Sequence, residues 1–221
     1  MTQTDPTRTA LVTGASRGFG AAAAEELARA GYHVIAVART QGGLEDLDDR
    51  INAAGGSATL APMDIAETDA MRHLCRSIYD RWGKLDLWVH AAIQTPALSP
   101  AEQTDAGMWD RLVPTNMHAT GVLITFLGPL LRAAKGTAVL VDDSASGPFM
   151  AAYAASKAAQ RALFDCWAGE YTRLDDLAVR RFTPAPMATN HRRRFYPGED
   201  TSALAEPGEE ARRMVHELEL A

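Results

Sequence analysis

Short apolar runs alternate with longer amphipathic stretches along this chain, and that alternation limits the fold more than any other feature. "TALVTGAS" (9–16), "HVIAVAR" (33–39), "ATLAPMD" (58–64), "LDLWVHAA" (85–92), "TAVLVDD" (137–143) and "LAVRRFTPA" (177–185) have the length and content of strands. Between them lie "GAAAAEELARAG" (20–31), "GLEDLDDRINAAGG" (43–56), "TDAMRHLCRSIYDRWG" (68–83), a long helical stretch at 105–134 and a helix carrying Tyr153. Strands without a polar face must be covered on both sides, which calls for a parallel sheet between two helical layers. Right-handed crossovers make such a sheet doubly wound. The expected fold is therefore α/β, a doubly wound parallel Rossmann-type sheet of six strands. No linker or repeat divides residues 1–221, so one domain with a substantial core is expected.

Composition narrows the partners. A net charge of −6 argues against nucleic acid, whose phosphates need a basic field. No apolar run approaches the roughly 20 residues of a membrane span; the longest, "VLITFLGPLL" (122–131), is interrupted by Gly128 and Pro129. The two cysteines, Cys75 and Cys166, have no metal-ligand spacing, so no metal is expected. They read as small buried hydrophobes in a reducing compartment. "MTQTDPTRT" at the start has neither an apolar signal core nor an arginine-rich transit pattern, and a cytoplasmic protein is expected.

Two short stretches carry chemistry. The first strand ends in "TGASRGFG", where Gly14, Gly18 and Gly20 open the first helix. Glycines there permit a tight turn and let the backbone approach a pyrophosphate, which the helix N-terminus then holds. In "DDSASGPFMAAYAASKAA" (142–159), Tyr153 and Lys157 stand four apart and so share one face of a helix. Ser144 precedes them at the end of the fifth strand. A site that protonates a carbonyl has a use for this set.

Loop, upstream serine and Tyr-x-x-x-Lys together resemble the short-chain dehydrogenase/reductase family, over about residues 8 to 190. The resemblance implies Tyr153 as acid/base and Lys157 as the group that lowers its pKa and binds the nicotinamide ribose. It implies Ser144 as donor to the substrate oxygen, with Ser146 as substitute, and Asn116 as anchor of a proton-relay water. Around the cofactor it places Ser16, Arg17 and Phe19 in the loop, then Asp64 and Ile65 near adenine, Ala92, and Pro184, Met187 and Thr189 near nicotinamide. Arg39 and Thr40 follow the second strand where a ribose-2′-hydroxyl reader would be acidic, so Arg39, with Arg17, suits the 2′-phosphate of NADP(H).

By the same resemblance residues 1–8 form a flexible N-terminus, 190–206 a substrate loop, and 207–220 a final helix, with the family's usual seventh strand missing. A homodimer through the fourth and fifth helices is implied. The implied activity is hydride transfer between nicotinamide and a small carbonyl or alcohol. The alternatives are a non-redox lyase, dehydratase or epimerase, and a non-catalytic NADP(H)-sensing protein. Arg192 to Arg194 leave open an anionic or carrier-bound substrate beside the plainer reading of a solvated basic turn.

The chain also departs from the family. His90–Ile93, "HAAI", stands where the family reads Asn-Asn-Ala-Gly, and His90 is expected to be a satisfied core histidine. Ile93 is expected to narrow the pocket. Asp142 and Asp143 read as turn caps, with a pKa-raising carboxylate as the alternative.

Overall fold

The computed structural model describes residues 8–143, 146–174 and 176–220. In chain order they form β1 (Thr9–Thr13), α1 (Gly18–Arg29), β2 (His33–Ala38), α2 (Gln41–Ala53), β3 (Ser57–Pro62) and α3 (Thr68–Trp82). Then come β4 (Leu87–His90), α4 (Ala106–Leu112), α5 (Ala119–Ala134), β5 (Thr137–Val141), α6 (Ala151–Tyr171) and β6 (Ala178–Phe182). A short α7 (Asn190–Phe195) and α8 (Pro207–Glu217) complete the described elements. The strands form one parallel sheet in the order β3-β2-β1-β4-β5-β6, with β6 at an edge. The order reverses between β1 and β4, and in such sheets a ligand crevice lies beyond the strand ends at that point.

Successive residues of a strand face opposite sides, and β1 shows the consequence. Ala10 and Val12 pack with Leu27 of α1, Leu44 of α2 and Met214 of α8, whereas Leu11 packs with Met71 of α3, Leu127 of α5 and Phe164 of α6. The start of alanine-rich α1 lies close against the turn after β1: a Cβ on Gly20 would stand 2.2 Å from the carbonyl oxygen of Gly14.

His90, at the end of β4, is a satisfied core residue. Its Nδ1 lies 2.8 Å from Thr13 Oγ1 and its Nε2 3.0 Å from Thr120 Oγ1 and 3.3 Å from Gln160 Nε2. The side chain thus ties β1 to α5 and α6.

Several expectations change. The stretch at 105–134 is helical throughout, but it passes through a π-helical segment, Val113–His118. Pro114 has no N–H to give the ordinary ladder, and the wider turn absorbs the defect. From Ala106 to Ala134 this helix is, by length and composition alone, long and apolar enough to cross a membrane. Leu123, Leu127 and Leu131 nonetheless pack into the core beneath the sheet. Within 190–206, α7 forms where a loop was expected, and Thr189 caps it by accepting from the Arg192 N–H. Cys75 is buried but Cys166 is exposed, because it lies on the outer face of α6. Arg8 is not loose: its guanidinium covers the Tyr32 ring at 4.5 Å and its carbonyl accepts from His33.

Burial, and then the charge of Lys157, lower the His90 pKa to about 3, so the ring is neutral in the folded state. The unfolded chain takes up that proton near pH ~6.5. A folded-state value below the unfolded one means stability present above about pH 6.5 and lost as pH falls towards 3. His90→Asn should therefore flatten the acid limb of stability. Denaturant unfolding of both proteins at about pH 7 and pH 4.5 checks this; equal losses on acidification would contradict it.

Candidate active site

A cleft of about 970 Å³ opens beyond the carboxyl ends of β1, β4 and β5. The glycine turn after β1 forms one wall. Gly14 has φ +78°, and a Cβ there would meet the Ala91 and Ala92 backbone at 2.8 Å. Gly18, at φ +57°, starts α1, whose first N–H groups are therefore available at the mouth of the cleft. This cradle suits a pyrophosphate. Ser16, Arg17 and Phe19 line it too.

Beyond β2, Arg39 and Thr40 lie on the same wall, with Asp64 and Ile65 after β3. Arg39 is 55% exposed; one terminal nitrogen is 3.6 Å from Asp64 Oδ2 and the other donates to Gln94 Oε1 at 3.4 Å. Asp64 also accepts from the Ala66 N–H at 3.0 Å, which fixes its carboxylate at the turn. Ala92, Pro184, Met187 and Thr189 line the same cleft, as do Tyr153 and Lys157. The cofactor residues expected from the sequence thus come together.

The chemical centre is arranged differently from the expectation. Tyr153, on the first turn of α6, is 1% exposed. Its hydroxyl donates to Asp143 Oδ2 at 2.5 Å and lies 3.0 Å from His191 Nε2. Burial, and then the Asp143 charge and its hydrogen bond, push the Tyr153 pKa upward, not downward. Lys157 Nζ donates to Val141 O at 2.8 Å and to Gln160 Oε1 at 3.1 Å, and it faces Asp142 Oδ1 at 3.7 Å. Burial lowers the Lys157 pKa, opposed by the two aspartates. Asp142 also faces Arg161 at 3.3 Å and Arg181 at 3.7 Å. Neither aspartate is merely a turn cap, although Asp142 Oδ1 does accept from the Asp143 N–H.

Ser144 lies outside the described residues. Ser146 is exposed and lines the cleft. Asn116 is fully buried, and its amide serves the neighbouring chain: Oδ1 accepts from Gln94 N, while Nδ2 donates to Gln94 O and Ser156 Oγ. Ile93 lines the cleft and packs against Tyr153, Met150 and Phe195. Arg192 is held by Glu199 through two hydrogen bonds of 2.5 Å and covers the Tyr196 ring, while Arg193 and Arg194 stay exposed at the cleft.

Asp143, Thr95 and His191 are the groups that sequence reasoning missed as site residues. The first was visible but looked like a cap. The other two are 96 residues apart and meet only in the fold, with Thr95 Oγ1 2.7 Å from His191 Nδ1.

The short chain dehydrogenase sequence profile matches residues 8–200. Gluconate 5-dehydrogenase of Gluconobacter oxydans is 30% identical over 200 residues, covering 86% of this chain and 75% of its own. The uncharacterized oxidoreductase YciK of Escherichia coli is 29% identical over 209 residues, covering 91% and 82%. Of other curated relatives the chain spans little more than half: 51% of a short chain dehydrogenase of Pseudocercospora fijiensis and 57% of a fatty acyl-CoA reductase of Acinetobacter baylyi. Among solved structures, a short chain dehydrogenase from Shigella flexneri complexed with NADP superposes with a TM-score of 0.86 at 29% identity, over 93% of this chain and 89% of its own. The chain belongs to the short-chain dehydrogenase/reductase family, whose fold takes a nicotinamide cofactor.

Gly20→Ala would force the start of α1 away from the loop, because the new Cβ collides with the Gly14 carbonyl. The expected result is a dissociation constant for NADPH raised by at least about tenfold, or ~1.4 kcal/mol. Fluorescence titration measures it, with circular dichroism confirming that helix content is kept. An unchanged constant would show that the loop does not hold the pyrophosphate.

Proposed function

We propose that the protein is an NADP(H)-dependent carbonyl reductase in which Tyr153 protonates the substrate oxygen. The observation that carries this reading is the buried Tyr153 hydroxyl, held protonated by Asp143 in the cleft that also contains the glycine loop. Bound reduced nicotinamide supplies the hydride. Tyr153 then donates its proton as negative charge develops on the carbonyl oxygen, and Lys157 is placed to hold the ribose. The walls formed by Ile93, Met187 and Phe195 limit water around the reacting carbon.

Arg39 and Arg17 support the choice of NADP(H). Both line the cleft that holds the glycine turn, and both are exposed enough to close on a 2′-phosphate. Solved neighbours carrying NADP agree with this, the Shigella protein and a metagenomic oxidoreductase at 28% identity, TM-score 0.80 over 94% of this chain and 89% of its own, among them. Arg193 and Arg194, rather than Arg192, which Glu199 holds, would meet an anionic substrate. The apolar side chains of Trp109, Val113 and Met117, exposed at four-residue spacing along α4 and the π turn, support a homodimer through this helix.

One observation favours a second reading. A carboxylate and a phenol sharing a proton could also serve a lyase or epimerase, for which bound cofactor would persist without net turnover.

Tyr153→Phe keeps the ring's packing and removes the acid. Turnover of carbonyl probes should fall by about 10²- to 10⁴-fold, followed as NADPH oxidation; near-normal turnover would contradict the assignment. Arg39→Asp should weaken NADPH on the order of ten- to a hundredfold and leave NADH binding unharmed. Dissociation constants for both cofactors decide this, and a wild type that prefers NADH would overturn the cofactor choice.

A further inference from the structure

Two side chains, Asp143 and His191, meet the Tyr153 hydroxyl, and the reductase reading gives His191 no role. A phenol has one proton, and an ionised carboxylate can only accept. The Tyr153 proton therefore goes to Asp143 Oδ2 at 2.5 Å, and His191 Nε2 at 3.0 Å must donate to the phenolic oxygen. In the neutral ring Nδ1 is then an acceptor, and the Thr95 hydroxyl at 2.7 Å supplies its proton.

The histidine ring is held in this orientation. Its centroid is 5.3 Å from that of Tyr153 and 5.2 Å from that of Phe195, with Phe195 edge-on. The charged group facing it is Asp143, whose Oδ2 is 3.5 Å from Nε2. Access differs sharply along the chain of groups: the His191 side chain is 31% exposed and Tyr153 is 1% exposed. Among the described residues no hydrogen bond joins Lys157 to Tyr153, since Lys157 donates to Val141 and Gln160.

We propose that His191 is the relay residue that re-protonates Tyr153 from solvent, while Asp143 keeps the hydroxyl poised as an acid, which biases the centre towards reduction. This rests on the carbonyl reductase reading and adds the route by which its acid is restored. The carbonyl carbon gains a hydride from reduced nicotinamide, and the Tyr153 O–H bond breaks to give the carbonyl oxygen its proton. The resting ring, neutral with its proton on Nε2, takes one proton from solvent at Nδ1, the Thr95 hydroxyl turning to accept from the new N–H, and the phenolate takes the Nε2 proton. The neutral Nδ1–H ring that remains returns to its Nε2–H form by exchange with solvent, giving up one proton and taking another, so each turnover consumes one solvent proton. Alcohol oxidation would require a phenolate beside the Asp143 carboxylate before any chemistry, and that arrangement is repulsive.

The test uses NADPH-driven reduction of diacetyl as probe. His191→Ala should lower kcat by about 10- to 100-fold, within the range for proton-transfer groups, and leave the KM for NADPH unchanged. Free imidazole should restore part of the rate in proportion to its concentration. His191→Gln keeps an N–H donor to Tyr153 but cannot pass a proton, so it should remain slow. A His191→Gln enzyme with wild-type kcat, or a folded His191→Ala enzyme that imidazole does not rescue, overturns the relay. A wild type inactive on every carbonyl tested would sink the reductase reading separately. Nitrogen NMR of histidine-labelled protein reads the relay without turnover: Tyr153→Phe should shift the His191 Nε2 resonance, and an unmoved resonance also overturns the relay.

Discussion

Burial of β1 and β4 on both faces is the constraint that the rest of this structure obeys. Leu11, Val12, Trp88 and Val89 are all inaccessible to solvent, so helices must cover both sides of the sheet. Polar groups on these strands are costly to leave unpaired inside the protein, and among the described residues Trp88 Nε1 is the buried side-chain atom without a partner. Thr13, His90, Thr120 and Gln160 are paired as one hydrogen-bonded set across two strands and two helices. With both faces closed, the crevice forms at the strand ends where β1 and β4 part, and the site residues are carried there by the turns that follow the strands.

Charge placement at the end of β5 gives the crevice its character. Adjacent residues leaving a strand point different ways, and here each is a carboxylate. Asp142 turns inward to Lys157, Arg161 and Arg181, compensating the lysine charge. Asp143 turns to Tyr153 and holds its proton. A lysine left uncompensated would favour phenolate and a base. A carboxylate at the hydroxyl favours phenol and an acid. The arrangement seen here belongs to the second case, and it agrees with donation to a carbonyl.

The sheet was legible in the sequence because parallel strands buried on both faces read as unbroken apolar runs, as in "TALVT" and "HVIAVA". The glycine loop was legible for a steric reason, since Gly14 and Gly20 stand where a Cβ would meet backbone. Tyr153 and Lys157 were legible from helical spacing. What escaped was tertiary. The partner of Tyr153 at position 191 is 38 residues away, within a basic stretch whose charges drew attention from its histidine. The aspartates looked like turn residues because short-range capping and long-range pairing use the same side chains. The π segment at Pro114 and the exposure of Cys166 depend on which helix face meets the sheet, which composition alone does not decide.

The central claim is that Asp143 keeps Tyr153 protonated, and ionisation of the tyrosine itself tests it most directly. Carbon NMR of tyrosine labelled at the ζ position, assigned with the Tyr153→Phe variant, follows that hydroxyl through a pH titration. The account predicts that Tyr153 in the cofactor-free protein stays protonated beyond the ordinary tyrosine value of ~10, and that Asp143→Asn lowers its ionisation. A Tyr153 that ionises below ~10, or one indifferent to Asp143→Asn, would contradict it.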